Sequence, residues 1–165
     1  MNKTTKILNI IYGLIVLLFA LDCLPSFDIK NQSLKSFAYI GILLGTPAIL
    51  AWNFITIKPL LKKVTSTLLL TAILIVVVVI GPMRIMFASG AWRTQTIQYQ
   101  NSHSSFKKVE FQMQDVGALG YNRRTVEVIQ ITPLFILVDE VPPDIDQQVE
   151  WTKVGVDINE LELKY

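Results

Sequence analysis

Few side chains in this chain could do chemistry, and their spacing matches no known catalytic pattern. His103, the only histidine, lies in the polar run 101–105, which is typical of a turn. A serine beside a histidine in sequence does not indicate a catalytic triad, because the fold brings triad residues together. Cys23, the only cysteine, allows no internal disulfide bond and no cysteine-based zinc site. We therefore expect no catalytic residue, no metal and no cofactor, and predict that the chain is not an enzyme.

Two groups of acidic residues could supply oxygen ligands to calcium. Asp144 and Asp146 form the first group, and Asp157, Asn159 and Glu160 form the second. Neither group is followed by the glycine and the distal glutamate of a calcium-binding loop. Both groups are therefore expected to be solvated acidic loops.

The most distinctive polar stretch is residues 117–124, which holds two glycines, an aromatic ring, an amide and two guanidinium groups. Its side chains could bind an anionic group such as a phosphate or carboxylate, or contact a partner. The candidates are Tyr121, Asn122, Arg123 and Arg124. The alternative is a hairpin loop followed by an edge strand with exposed arginines. The stretch is not a P-loop, because no Gly-Lys-Ser/Thr follows it.

The elements that must carry these residues differ between two parts of the chain. Residues 1–90 contain two acidic and eight basic residues, whereas residues 91–165 contain eleven acidic and seven basic ones. The first part has three apolar stretches close to the ~20 residues that a helix needs to cross a bilayer. We predict transmembrane helices at 7–24, 37–57 and 67–87, forming a membrane domain over residues 1–90.

The lysines near the helix ends predict the orientation, because cytoplasmic loops are enriched in positive charge. One side of the membrane would receive five lysines, namely Lys3, Lys6, Lys58, Lys62 and Lys63. The other side would receive Lys30 and Lys35, with Arg84 and Arg93 counting against the difference. The count favours a multi-pass protein of the cell membrane with a cytoplasmic N-terminus and an extracytoplasmic C-terminal domain.

The second span carries a stripe of small residues at three- and four-residue spacing, namely Ala38, Gly41, Gly45 and Ala48. Such a stripe allows close approach of two helices. It could form a contact between two copies of the chain, but packing within one chain is favoured. Asn53 could bond across helices or lie at the headgroups beside Trp52, and the headgroup position is favoured.

Residues 91–165 show the alternation of apolar and polar side chains that is typical of half-buried strands. We predict a small antiparallel β domain, a barrel or sandwich of about six strands: 93–100, 106–114, 123–132, 134–141, 148–156 and 158–164. Pro133 divides the long run 123–141 and predicts a bend in one strand, since proline cannot donate to a ladder.

The longest apolar run after the third span comprises Leu134, Phe135, Ile136, Leu137 and Val138. A strand without alternation is expected to be covered on both faces. One alternate set, either positions 134, 136 and 138 or positions 135 and 137, is therefore predicted to form an interface beyond the domain core. The alternative is that the fold itself closes over both faces.

These features favour a non-enzymatic integral membrane protein that displays an extracytoplasmic β domain for partner binding, as an accessory or immunity-type subunit. Its partners would be the lipid bilayer and a protein or a second copy. Nucleic acid is not expected, because the basic residues of the first part lie at helix ends. The alternative is a membrane effector or small channel with the β domain as ligand sensor. In outline, this order of domains resembles membrane effectors of bacterial antiphage systems that sense a cyclic nucleotide, which implies a cytoplasmic sensor.

Overall fold

The computed structural model describes residues 2–142 and 144–163, and Met1, Pro143, Lys164 and Tyr165 lie outside the described residues. The chain forms two compact units. Met1–Ala20 and Lys35–Ser89 form the first, and Leu21–Leu34 and Gly90–Tyr165 form the second. We call them the helical unit and the β unit. The chain passes from the helical unit to the β unit between Ser89 and Gly90, and the earlier segment Leu21–Leu34 also belongs to the β unit.

Before residue 90 the described residues form four α-helices: α1 (Lys3–Asp22), α2 (Gln32–Thr56), α3 (Leu60–Ile80) and α4 (Pro82–Ala88). The first three are long and apolar enough to cross a membrane, in agreement with the three predicted spans. The third prediction, 67–87, is wrong in its limits, because α3 begins at Leu60 and ends at Ile80. Gly81 has a φ of 94°, and Pro82 has no N–H to continue the ladder, so a separate short helix starts there.

The helical unit has a core and a large apolar exterior. Its buried cluster lies along all four helices and comprises Tyr12, Ile15, Ala38, Tyr39, Ile42, Ile49, Leu70, Val77 and Ile85. Large apolar side chains on all three long helices are exposed, for example Leu14, Leu44 and Val79. In water such exposure would be costly, whereas lipid accepts apolar side chains on the outside of a helix. The composition of these surfaces therefore fits a bilayer.

The β unit contains six antiparallel strands in one sheet, in the order β1-β5-β4-β3-β2-β6. They are β1 (Phe27–Ile29), β2 (Trp92–Asn101), β3 (Lys107–Asp115), β4 (Tyr121–Gln130), β5 (Phe135–Asp139) and β6 (Trp151–Asp157). Five correspond to predicted strands. The sixth prediction, 158–164, is wrong over its described residues 158–163, which form no strand and turn at residues 160–161. The sixth strand is instead β1, from the loop between α1 and α2.

The sheet curls strongly, so that the segments beyond its two end strands meet. Lys30 follows β1, and its Nζ lies 3.2 Å from Oε1 of Glu160, which follows β6. In a flat sheet with strands ~4.8 Å apart, five intervals would separate the end strands by roughly 24 Å. The side chains could not span that distance. The described residues thus form a single curled sheet, like a partly open barrel, and the sandwich alternative is wrong for them.

The chain reverses between β4 and β5 where the sequence predicted only a bent strand. Gln130 lies opposite Ile136 in the antiparallel register, so the intervening residues form a tight loop. The hydroxyl of Thr132 accepts hydrogen bonds from the backbone N–H groups of Leu134 and Phe135. Pro133 lies at the tip of this loop, where its missing donor is not needed. The predicted bend at Pro133 is therefore a hairpin.

The curl gives the sheet an inner and an outer face, and directly opposed residues share a face. The outer face carries a core of Tyr99, Val109, Ile145 and Trp151. Ile145 comes from the connection between β5 and β6, which must cross the sheet because these strands lie at opposite sides of it. The inner face carries a small cluster of Val128, Ile136 and Val138 beside a larger set of buried polar groups.

Candidate functional site

A chain of polar side chains crosses the inner face of the β unit. Arg124 donates through Nε to Oε1 of Gln112 (2.9 Å), and its Nη2 pairs with the carboxylate of Asp28 at 2.5 Å. Gln112 then donates to Oε2 of Glu110 at 2.9 Å. The same oxygen accepts from the hydroxyl of Thr94 at 2.7 Å. Asp28, Glu110, Gln112 and Thr94 are all buried.

The chain continues to the C-terminal segment through Lys30. Its ammonium donates to the Thr94 hydroxyl at 3.1 Å and pairs with Glu160. Glu160 also accepts from the backbone N–H of Thr94 at 2.8 Å. Two basic and three acidic side chains thus meet across the inner face, with one more acidic group than basic. We call this set the inner polar chain; it comprises Asp28, Lys30, Thr94, Glu110, Gln112, Arg124 and Glu160.

The four residues predicted to bind an anion or a partner do not converge on one site. Asn122 and Arg124 belong to the inner face, whereas Tyr121 and Arg123 belong to the outer face, since neighbours along a strand alternate. The Arg124 guanidinium is paired with Asp28 and lies 4.1 Å from the centroid of the Trp92 ring. Arg124 therefore links strands within the sheet. Of the two neighbouring arginines, only Arg123 is exposed.

Four of the five residues considered for calcium form side-chain hydrogen bonds or ion pairs within the protein, namely Asp144, Asp146, Asn159 and Glu160. Asp146 accepts a hydrogen bond from the Tyr99 hydroxyl at 2.7 Å, and Asp144 accepts one from the Gln148 amide. The bond to Asp146 is the main reason that the pKa of Tyr99 is raised above its ordinary value. Within residues 2–142 and 144–163, His, Cys, Asp and Glu form no group of three that could hold a metal ion.

His103 lies in the loop between β2 and β3, as the sequence predicted. Its backbone N–H donates to Oδ1 of Asn101 at 3.0 Å, and the residue is exposed. This is an Asx-type turn, in which the asparagine replaces a backbone acceptor. The interaction engages the backbone of His103 and gives the imidazole no part in the turn.

An apolar row lies exposed on the outer face, across β1, β5 and β4. Leu137 is directly opposite both Phe27 and Ile129, and Phe135 shares their face. The rings of Phe27 and Phe135 have centroids 5.5 Å apart. Ile129 and Leu137 are each 39% exposed, whereas Ile136 and Val138 on the other face are at most 6% exposed. We call Phe27, Ile129, Phe135 and Leu137 the apolar row.

Both end strands of the sheet are protected against pairing with another strand. The outward N–H of Phe27 donates to the carbonyl of Leu24, and that of Ile29 donates to Oδ1 of Asp22 at 2.7 Å. On β6, the pairing register shifts between Lys153 and Val156, and Gly155 has a φ of 60°. Such a bulge twists an end strand away from a flat pairing edge. A partner would therefore bind more readily to a face of the sheet than by pairing with one of its end strands.

The stripe of small residues in α2 faces α1 at its two glycines. A Cβ added to Gly41 would lie 2.9 Å from Cγ2 of Ile15, and one added to Gly45 would lie 3.3 Å from the Tyr12 ring. Ala38 is fully buried, whereas Ala48 is exposed. The glycines therefore allow α1 and α2 of one chain to approach closely, as the within-chain alternative requires.

Asn53 forms a polar cluster between helices, and the favoured headgroup position was wrong. It is fully buried, and it exchanges two hydrogen bonds with Asn9, at 2.9 and 2.8 Å. Its amide also donates to Oγ of Ser66 at 2.8 Å. The cluster therefore joins α1, α2 and α3. The sequence shows Asn9, Asn53 and Ser66 as separate polar residues, and polarity alone does not reveal which way their side chains point.

The chain matches no protein-family model, and neither the curated proteins nor the solved structures include one with significant similarity to it.

Proposed function

We propose that this integral membrane protein displays its β unit outside the cytoplasm for binding a protein partner, without catalysing a reaction. The observation that carries this proposal is strand β1. It comes from the loop between α1 and α2 and pairs with β5 of the C-terminal part. The β unit is therefore joined to the helical unit by three chain connections, near residues 20, 34 and 89. A domain on one flexible tether would have only one.

Three connections matter because binding costs less when a surface is already ordered. A domain on a single linker loses orientational freedom when it binds, and that loss opposes association. The inner polar chain strengthens the attachment, since Asp28 and Lys30 of the loop pair with Arg124 and Glu160 of the C-terminal part. The loop strand and the C-terminal part of the β unit are thus held together in one sheet.

The same strand supports the proposed topology. Helices α2 and α3 lie between β1 and the C-terminal part, and two crossings return the chain to the side it started from. The loop that carries β1 and the rest of the β unit thus share one side of the membrane. The excess of lysines at the N-terminus and near Lys58 favours the opposite side as cytoplasmic.

Cysteine labelling tests this arrangement in intact cells. Cys23 is exposed and lies in the loop before β1. A membrane-impermeant thiol reagent should label it without permeabilisation. In a Cys23→Ser background, Ser105→Cys should behave alike, whereas Lys58→Cys should be labelled only after permeabilisation. The reverse pattern at all three sites would disprove the orientation, and different sides for Cys23 and Ser105→Cys would disprove the shared side.

Partner binding is tested separately from orientation. Cross-linking with an impermeant reagent in intact cells, followed by purification in mild detergent, should recover the chain with a protein in fixed stoichiometry. Lys153→Ala, an exposed change on β6, is the matched control and should keep the complex. Recovery of the uncross-linked chain by itself at native expression levels would count against the proposal.

A further inference from the structure

Strand β4 extends beyond the strand that pairs with it on one side. The β4–β5 register ends at Glu127 and Asp139, although β4 begins at Tyr121. Beyond that pair the chain leaves the sheet and crosses the outer face, where Val141 packs against the core. Residues 121–126 therefore pair with β3 alone. We call them the uncovered edge.

The register shows which backbone groups of this edge point to the open side. The N–H of Gln130 donates to the carbonyl of Phe106, which precedes β3. Because the β3–β4 register is continuous and neighbouring residues alternate, Arg123 and Thr125 point their N–H and C=O groups away from β3. In the part of the chain that the structure describes, no hydrogen-bond partner meets these groups.

A cleft of about 530 Å³ lies beside the uncovered edge, between residues 124–126 on one side and residues 138–141 with Ser26 on the other. Its lining includes Val126, on the inner face, and Thr125, on the outer face. The cleft therefore passes through the plane of the sheet, where a further strand beside β4 would lie. The uncovered edge also lacks the protection of the two end strands, since its register shows no shift and it contains no proline. Only an extended peptide presents backbone donors and acceptors at the matching spacing.

The two arginines decide between a second copy and a different protein as the source of that peptide. Antiparallel pairing of two copies along most of this edge would bring Arg123 opposite Arg123, or Arg124 opposite Arg124. Like charges directly opposite each other are destabilising. Arg123 is exposed and shares the outer face with Arg93, two strands away. Asp115, on the same face, accepts a hydrogen bond from the N–H of Gly117.

The other acidic groups lie further from a residue placed opposite Arg123. Glu127 is four positions along β4, roughly 13 Å away, and it pairs with Lys107. Asp139 lies opposite Glu127, and Glu140 alternates to the inner face. A carboxylate opposite Arg123 would therefore have that guanidinium as its nearest charge.

We propose that the uncovered edge is a strand-addition site. An extended segment of the partner protein pairs with Arg123 and Thr125, antiparallel like every other pairing in the sheet, and places an acidic side chain opposite Arg123. This inference rests on the proposed function and specifies how the partner is recognised. The backbone groups set the register, and Arg123 favours an acidic strand over a second copy.

The test uses the full-length protein in nanodiscs of uncharged phosphatidylcholine, with empty nanodiscs as blank. Without peptide, the amides of Arg123 and Thr125 should exchange with solvent at least about tenfold faster than those of Arg124 and Val126, which bond to β3. Equal protection of all four would overturn the inference, because the edge would already be covered.

The probe is a fluorescein-labelled heptapeptide of alternating valine and threonine with glutamate at its centre. It should bind, as measured by fluorescence anisotropy, and slow exchange of the Arg123 and Thr125 amides by about tenfold or more. The same peptide with N-methyl groups on the glutamate and both threonines loses the donors that face β4. It should bind at least about fivefold more weakly, and equal binding of the two peptides would show that the backbone is not recognised.

Two variants of the protein separate the backbone from the charge. Thr125→Pro removes an N–H that faces the peptide and should weaken binding by about fivefold or more, whereas Thr125→Val keeps it and is the matched control. Wild type should prefer the glutamate peptide to one with lysine at its centre, and Arg123→Glu should reverse that order. An unchanged order would overturn the inference.

A second copy as occupant has its own signature. A dimer in mild detergent that Thr125→Pro dissociates would overturn the inference. Cysteine labelling as expected with no peptide binding disproves this inference alone, and peptide binding with reversed labelling disproves the display function alone.

Discussion

Replacing Arg124 by methionine should release strand β1 from the sheet, whereas replacing its neighbour Arg123 should not. Arg124 bonds to Gln112, pairs with Asp28 and stacks on Trp92. Arg123 is exposed on the other face. Methionine keeps much of the length and removes the charge, so the two variants differ mainly in which face loses a guanidinium group.

The size of the effect follows from the environment of the pair. Hydrogen bonds to charged groups contribute about 1.5–3 kcal/mol, and loss of one partner leaves a buried group unsatisfied. The Arg124 side chain is 21% exposed and that of Asp28 is 10% exposed, so partial screening lowers the larger values that apply to a fully buried pair. We expect Arg124→Met to lower the free energy of opening β1 by about 2–3 kcal/mol.

Amide hydrogen exchange in nanodiscs measures this opening directly. The N–H groups of Lys30 and Val138 donate to Leu134 and Ser26 across the β1–β5 pairing. Their exchange should accelerate roughly 30- to 150-fold, since about 1.4 kcal/mol corresponds to a factor of ten. Amides between β3 and β4 should change little. Equal acceleration in Arg123→Met, or none in Arg124→Met, would refute the assignment of the inner polar chain as the attachment of β1.

Three further changes test the two units. Asn53→Leu should lower the free energy of unfolding in detergent by about 1–2 kcal/mol. An interhelical hydrogen bond contributes on average about 0.6 kcal/mol, and several are lost. Gly41→Leu should lower the free energy of unfolding by about 1–3 kcal/mol, because the larger side chain overpacks the contact with α1. Ala48→Leu is the control, because Ala48 is exposed. Tyr99→Phe should lower the free energy of unfolding at neutral pH, because the hydrogen bond to Asp146 is lost. Because the pKa of Tyr99 is raised in the folded state, the stability due to its bond with Asp146 is complete below about pH 10 and is lost at higher pH.

Each of these has an outcome that contradicts its reason. Unchanged stability in Asn53→Leu would mean that the cluster with Asn9 and Ser66 does not join the helices. Equal effects of leucine at positions 41 and 48 would mean that the glycine does not face α1. A stability difference between wild type and Tyr99→Phe that persists well above pH 10 would mean that ionisation of the phenol is not responsible for it.

The long elements were predictable because their patterns are local. Three apolar stretches of about 20 residues specify helices in lipid by length alone, and strands β2 and β3 follow from their alternation of apolar and polar side chains. The limits of α3 were not predictable from hydropathy. The decisive residues are Gly81 and Pro82, which end one helix and begin another inside a continuous apolar run.

Strand β1 could not be predicted, because three residues carry no period. Phe27, Asp28 and Ile29 form a strand only because β5 lies beside them, about 110 residues further along the chain. The inner polar chain has the same origin, since its members come from the loop, three strands and the C-terminal segment. The sequence pointed to Arg124 as distinctive but could not show that Asp28 already occupies it. Two of the four residues of the apolar row, Phe135 and Leu137, formed one of the two alternate sets named from the sequence. The other two, Phe27 and Ile129, were not named.

The placement of β1 also constrains how the protein is made. Residues 27–29 leave the ribosome long before β5, and at translation rates of roughly 5–20 residues per second the delay is on the order of 5–20 seconds. During that time the α1–α2 loop lacks the strand with which it pairs, while α2 and α3 enter the bilayer. The sheet can close only after the last helix is inserted. Membrane insertion and completion of the β unit are therefore ordered events, and an error in helix orientation would leave β5 without its neighbour.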